Sequence, residues 1–209
     1  MLRVEPGLWA VCRFTVLCFF LGSYTVTLPA VADSIGSSPE VLAVLQAGGL
    51  VGGLFVLSAV NFLHHRVNWG RVQRGCFVLA VLGIAGLAVV DLQSGRSMTS
   101  VIIAVICTVP IGFAVALDAT ILSALMQADV PETHSGSVLT FFTLVGLATI
   151  PLSQEVVGLV ADLTSVPLAL GSLIIIGSIA VLVLPRRPIR AAFDEMNAAE
   201  PPALLTRAS

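Results

Sequence analysis

Six runs of apolar residues follow one another along the chain, most of them too long to be buried by a soluble core of this size. The runs cover residues 14–32, 41–63, 76–90, 101–125, 138–160 and 166–184, the third being the shortest. At a rise of 1.5 Å per residue, roughly 20 helical residues cross a hydrocarbon layer about 30 Å thick. The runs are continuous, whereas the strands of a membrane barrel alternate apolar and polar residues over about ten positions. Helices satisfy every backbone polar group internally, so the expected fold is an all-α membrane protein with six transmembrane helices. Only 11% of the residues are charged, against about 25% in soluble domains, and no second, water-soluble core is left over. The expected organisation is an arm at 1–13, a six-helix domain at 14–185 and a tail at 186–209.

The charges that remain set a direction. The chain has no lysine, and its arginines gather in alternate connections. Arg3 and Arg13 precede the first run, Arg66, Arg71 and Arg74 fill the connection after the second, and Arg186, Arg187, Arg190 and Arg207 follow the sixth. The other connections hold only Arg96. Positive residues stay on the cytoplasmic side, which predicts a multi-pass protein of the cell membrane with both termini inside. The connection at 127–136 should be cytoplasmic but has no arginine, only Asp129, Glu132 and His134; acidic residues contribute little to the rule. A competing reading makes the first run a signal peptide cut after Ala30-Val31-Ala32. That run is longer than a usual signal core, and its removal would leave five spans, the wrong parity for the arginines.

Several function classes drop out. The arginines form loop clusters and not a groove-sized basic patch, so no nucleic-acid partner is expected. Cys12, Cys18, Cys76 and Cys107 lie in or beside apolar runs without metal-ligand spacing. The pair His64-His65 adjoins arginines and lacks a carboxylate at ligand spacing, so neither a metal nor another cofactor is expected. No nucleophile–base pair sits at membrane depth, and Ser153 has no histidine near it in sequence, which argues against an enzyme.

Small and helix-breaking residues mark how the helices pack. Gly48, Gly49, Gly52 and Gly53 form two overlapping small-xxx-small pairs in the second run, a face on which another backbone can approach closely. The same face could serve a helix that slides. Gly158 offers a similar small position in the fifth run. Pro110 and Pro151 fall near the middle of the fourth and fifth runs and free the carbonyls of Ile106 and Leu147, with Thr108 and Thr149 nearby to help satisfy them.

Two carboxylates stand inside apolar runs. A carboxylate deep in a span costs about 2.5–3.5 kcal/mol even on the lenient insertion scale, so Asp118 and Glu155 are candidates for function. Glu155 follows Gln154 and shares a helical stripe with Pro151, Gly158 and Asp162. A desolvated carboxyl that exchanges protons near neutral pH could couple proton flow to movement of a substrate. For Asp118 the alternative is a water-facing position near the cytoplasmic surface. Asp33, Asp91 and Asp162 fall near run ends and read as interfacial.

Three stretches resemble the C-terminal six-helix half of a major facilitator superfamily transporter, in its bacterial drug- and siderophore-exporter branch. One is Gly22-Ser23-Tyr24-Thr25-Val26-Thr27-Leu28-Pro29-Ala30-Val31-Ala32, similar to the opening helix of that half. Another is the glycine-rich face followed by the arginine-rich connection. The most specific is Ala128-Asp129-Val130-Pro131-Glu132-Thr133-His134-Ser135-Gly136-Ser137-Val138, continuing to Pro151 and Gly158-Leu159-Val160-Ala161-Asp162. The chain departs from the family pattern at Ser135-Gly136-Ser137, where the family has Arg-Gly-Arg, and lacks the acidic residue often found before the basic turn.

The resemblance implies a 3+3 inverted repeat of helices and proton-driven efflux of a small molecule through a path between two such halves. The expected partners are the lipid bilayer, a small-molecule substrate and a second half, either another copy of the chain or the other product of a split or longer gene. A lone half should expose its path-lining face, with Asp118 and Glu155 on it, and Gln154 is the third candidate for the path. The alternative is a non-transporting accessory or degenerate half that binds a partner's helices.

Overall fold

A computed structural model of the chain describes residue 16 and residues 20–36, 38–63, 69–93, 97–129 and 132–183. The arm at 1–13, the tail at 186–209 and Arg66 lie outside the described residues. A short 3-10 segment, Ser23–Thr27, runs into α1 (Leu28–Ile35), and with the helical residues 20–22 before it makes up the first helical segment, residues 20–35. There follow α2 (Pro39–Leu63), α3 (Trp69–Gln93), α4 (Met98–Asp129), α5 (Glu132–Leu163) and α6 (Val166–Val183). Among the described residues the architecture is all-helical. Four stretches are long and apolar enough to cross a membrane: Pro39–Val60, Val72–Gln93, Met98–Ile121 and Thr143–Leu163. A further apolar stretch, Val166–Ile179, is shorter. These are the proportions of a membrane protein.

Local chemistry starts the helices. Pro39 occupies the first position of α2 and Pro29 lies at the start of α1, where a missing N–H and a fixed φ suit a helix. Ser97 caps α4: its Oγ accepts from the Ser100 backbone N–H at 3.1 Å, satisfying one of the helix's orphan donors. The helices outrun their apolar runs. α3 begins at Trp69, so Arg71, Gln73 and Arg74, assigned from sequence to a connection, are helical. Likewise α4 ends at Asp129 and α5 begins at Glu132, which puts Ser135-Gly136-Ser137 in a helix and not in a turn. Polar residues are cheap at the ends of a span, where side chains reach the headgroups, so hydropathy ends before the helix does.

α4 is the centre of the bundle. It packs along α2 on one side and α3 on the other; α3 in turn packs on α6, and the 3-10 segment packs on α5. The α2–α4 seam is a backbone contact. A Cβ placed on Gly52 would overlap the Val109 carbonyl, one on Gly48 the Thr108 hydroxyl, and one on Gly112 the backbone of Gly49. Gly53 sits opposite Ala116 and Gly49 opposite the Tyr24 hydroxyl. On the α3 side, Gly83 and Gly86 press on Cys107 and Ile111 in the same way. Without a hydrophobic force between helices in lipid, such close approach supplies the dispersion energy that holds them.

Both prolines lie inside continuous helices, Pro110 in α4 and Pro151 in α5. The threonines near them do not serve the freed carbonyls. Thr108 Oγ1 donates to the Val105 carbonyl at 2.9 Å and Thr149 Oγ1 to the Val145 carbonyl at 2.6 Å. A hydroxyl on a helix reaches carbonyls three or four residues back, whereas Ile106 and Leu147 are only two residues before these threonines.

Candidate functional site

Asp118 is 2% exposed, on the face of α4 that meets α3. Ala104, Ile111, Ala114 and Ile121 share that face at helical spacing and are all buried, so the carboxylate continues an otherwise apolar stripe. It lines a small cavity with Leu21, Cys76, Phe77, Ala80, Ala114 and Val115. The cavity thus sits where α3, α4 and the start of the first helical segment converge. Along the helix axis, Asp118 lies roughly 5 Å inside Ile121, the end of the apolar stretch of α4. The expectation that it lines an open face does not hold among the described residues: the helices of the chain itself cover it.

A second buried polar side chain stands at the same end of α3. Gln73 is 1% exposed, and among the described residues its Nε2 has no hydrogen-bond partner. Cys76, Phe77 and Ala80 follow it at three, four and seven residues, so Gln73 belongs to the stripe that lines the Asp118 cavity. That spacing was the available signal, hidden because the residue precedes the apolar run. Arg74, on α3, is half-buried, and the side chain of Arg71 lies outside the described residues.

Glu155 and Gln154 are placed elsewhere. Glu155 is exposed on α5, flanked by exposed Pro151 and Leu152. Gln154 is half-buried, and its Nε2 donates to Thr25 Oγ1 at 3.3 Å, linking α5 to the 3-10 segment. The structure therefore separates the candidates into a buried position at Asp118 and an outward one at Glu155. A Cβ on Gly158 would meet nothing within 4 Å, so the packing role expected there is not seen among the described residues. The four glycines of α2 form the seam already described.

Cys76 is buried and Cys107 half-buried, and neither is in a disulfide. Among the described residues no three His, Cys, Asp or Glu side chains gather as a metal site. Chemically, then, the arrangement offers an enclosed carboxylate with an amide at one end of the bundle, and an outward carboxylate inside the apolar stretch of α5. No protein-family model, curated protein or solved structure matches the chain.

Proposed function

We propose that this chain is one six-helix half of a proton-coupled transporter of the major facilitator type, exporting a small molecule along its seam with a second half. The observation that carries the reading is how the helices pair. In an inverted 3+3 repeat the first three helices exchange with the last three, taking the first helical segment to α4, α2 to α5 and α3 to α6. Under that exchange the α2–α4 seam becomes the seam between α5 and the first segment, and α3–α6 becomes itself; all three seams are present. The sequence resemblance and the arginine distribution support the same reading, with the protein in the cell membrane and its termini on the cytoplasmic side.

In this reading Glu155 faces the path and Gln154 braces it through Thr25. Asp118 acts from inside the half, as an enclosed carboxyl whose charge a passing proton changes. The test is pH-driven efflux from vesicles containing the intact chain, with Asp118→Asn and Glu155→Gln. Loss of proton-dependence in at least one variant is expected. Full pH-dependent transport in both would remove the carboxyls from the mechanism.

A second reading, a non-transporting accessory that binds other helices, draws on Ser135-Gly136-Ser137 replacing the family's Arg-Gly-Arg. It predicts no efflux under any gradient, together with stable association with another membrane protein.

A further inference from the structure

The phenol of Tyr24, the chain's single tyrosine, is 5% exposed, and among the described residues its hydroxyl makes no hydrogen bond. Its neighbours in the 3-10 segment differ: Ser23, Thr25 and Thr27 each donate to the carbonyl three residues back. A buried tyrosine ordinarily finds a partner for its O–H, because an unmade bond leaves the group without the water it gave up.

The hydroxyl is turned to a gap. A Cβ placed on Gly49 would stand 3.0 Å from it and, among the described residues, within 4 Å of nothing else. One turn on, a Cβ on Gly53 would touch only the Ala116 methyl, at 3.7 Å. Both glycines are half-buried. Two successive turns of α2 thus leave a notch beside the first segment and α4, with the Tyr24 hydroxyl directed into it. Gln46, three residues before Gly49 and on the same side of α2, is exposed and makes no hydrogen bond among the described residues.

The notch lies deep and away from charge. Gly49 is roughly 15 Å from Pro39 and roughly 17 Å from Val60, the centre of its apolar stretch. On these helices Glu40 and Asp33 are about 14 Å or more along the chain axis from this level, Asp129 is farther, and Asp118 turns to the α3 side. A buried O–H here is best met by an uncharged acceptor, since a charged one would have to shed its hydration with no opposite charge beside it. A carbonyl oxygen is such an acceptor.

We infer that the Tyr24 hydroxyl and the notch over Gly49 and Gly53 bind the uncharged carbonyl group of an amphipathic small molecule, with the Gln46 amide as a second donor at the rim. This assignment rests on reading the chain as half of a path, and it names the class of molecule that the path carries.

The experiment uses the intact chain in lipid vesicles with fluorotyrosine in place of tyrosine, so that the fluorine resonance reports on Tyr24 alone. The probes are a long-chain N-alkylbenzamide, the alkylbenzene of equal length and its trimethylammonium analogue. The benzamide is expected to shift the resonance saturably and the other two are not. Tyr24→Phe should weaken benzamide binding about tenfold, and Gly49→Ala, whose methyl enters the notch, should weaken it as well. Thermal unfolding of Tyr24→Phe should be unchanged or raised; a lowered midpoint would mean that the fold itself uses the hydroxyl, and overturns the site. Equal benzamide binding with and without the hydroxyl, or an equal shift from either control probe, also overturns it. Efflux from the same vesicles separates the two ideas: benzamide bound through Tyr24 but never exported sinks the transport reading alone, and benzamide export untouched by Tyr24→Phe sinks the site alone.

Discussion

Ser34 Oγ donates to Asp91 Oδ1 at 2.7 Å, tying the end of α1 to the end of α3 across 57 positions of sequence. The Val31 carbonyl, 2.8 Å from the same hydroxyl, is a second acceptor that shares its single proton. Asp91 falls at a span end, where a carboxylate is easily tolerated, and the bond gives it a structural use there.

Removing either partner of this bond should loosen the first segment from α3. Ser34→Ala and Asp91→Ala are each expected to lower unfolding stability by about 1 kcal/mol, and the double variant by little more than either alone. Denaturation of the four proteins in mixed micelles measures the coupling directly; additive losses would show that the bond contributes nothing in solution.

The glycine seam makes a sharper prediction. Gly52→Ala and Gly112→Ala put a methyl into facing backbone and should each destabilise by about 1–3 kcal/mol, as overpacking does. Gly158→Ala meets open space, so it should leave stability unchanged or raise it through better helix propensity. Thermal unfolding of the three variants side by side checks the contrast.

Gln73 should behave unlike an ordinary core residue. Its buried amide nitrogen lacks a partner among the described residues, so Gln73→Leu removes an uncompensated group and keeps the volume. Stability is expected to hold or rise by about 1 kcal/mol. A marked loss would mean that the amide is bonded in the membrane.

Replacing Gln154 by Leu should cost little. The bond to Thr25 is long at 3.3 Å, and hydrogen bonds between membrane helices average about 0.6 kcal/mol. A small shift in unfolding, equal to that of Thr25→Val, is the expected result.

The long helices were legible because continuous apolar runs have one solution in lipid, and the runs around Gly52, Ile111 and Val157 all fall in long helices. Their ends were not: Gln73 and Arg74 are polar residues in the first turns of α3, where composition resembles a loop. The glycines of α2 announced a close approach, but nothing in a helical period names the neighbour, and only the fold identifies it as the stretch from Val105 to Ala116. Asp118 shows the same limit. Its depth could be read from the run around it, while the direction it faces depends on which helix packs there.

α4 is held by backbone contact on two sides, to α2 through Gly52 and Gly112 and to α3 through Gly83. Seams this tight leave no room for one helix to roll or slip past another without a clash of main chains. The trio must therefore tilt as a single rigid plank, and any large motion has to be taken up outside it, as at the smaller seam where α5 packs on the 3-10 segment and carries the Gln154–Thr25 bridge.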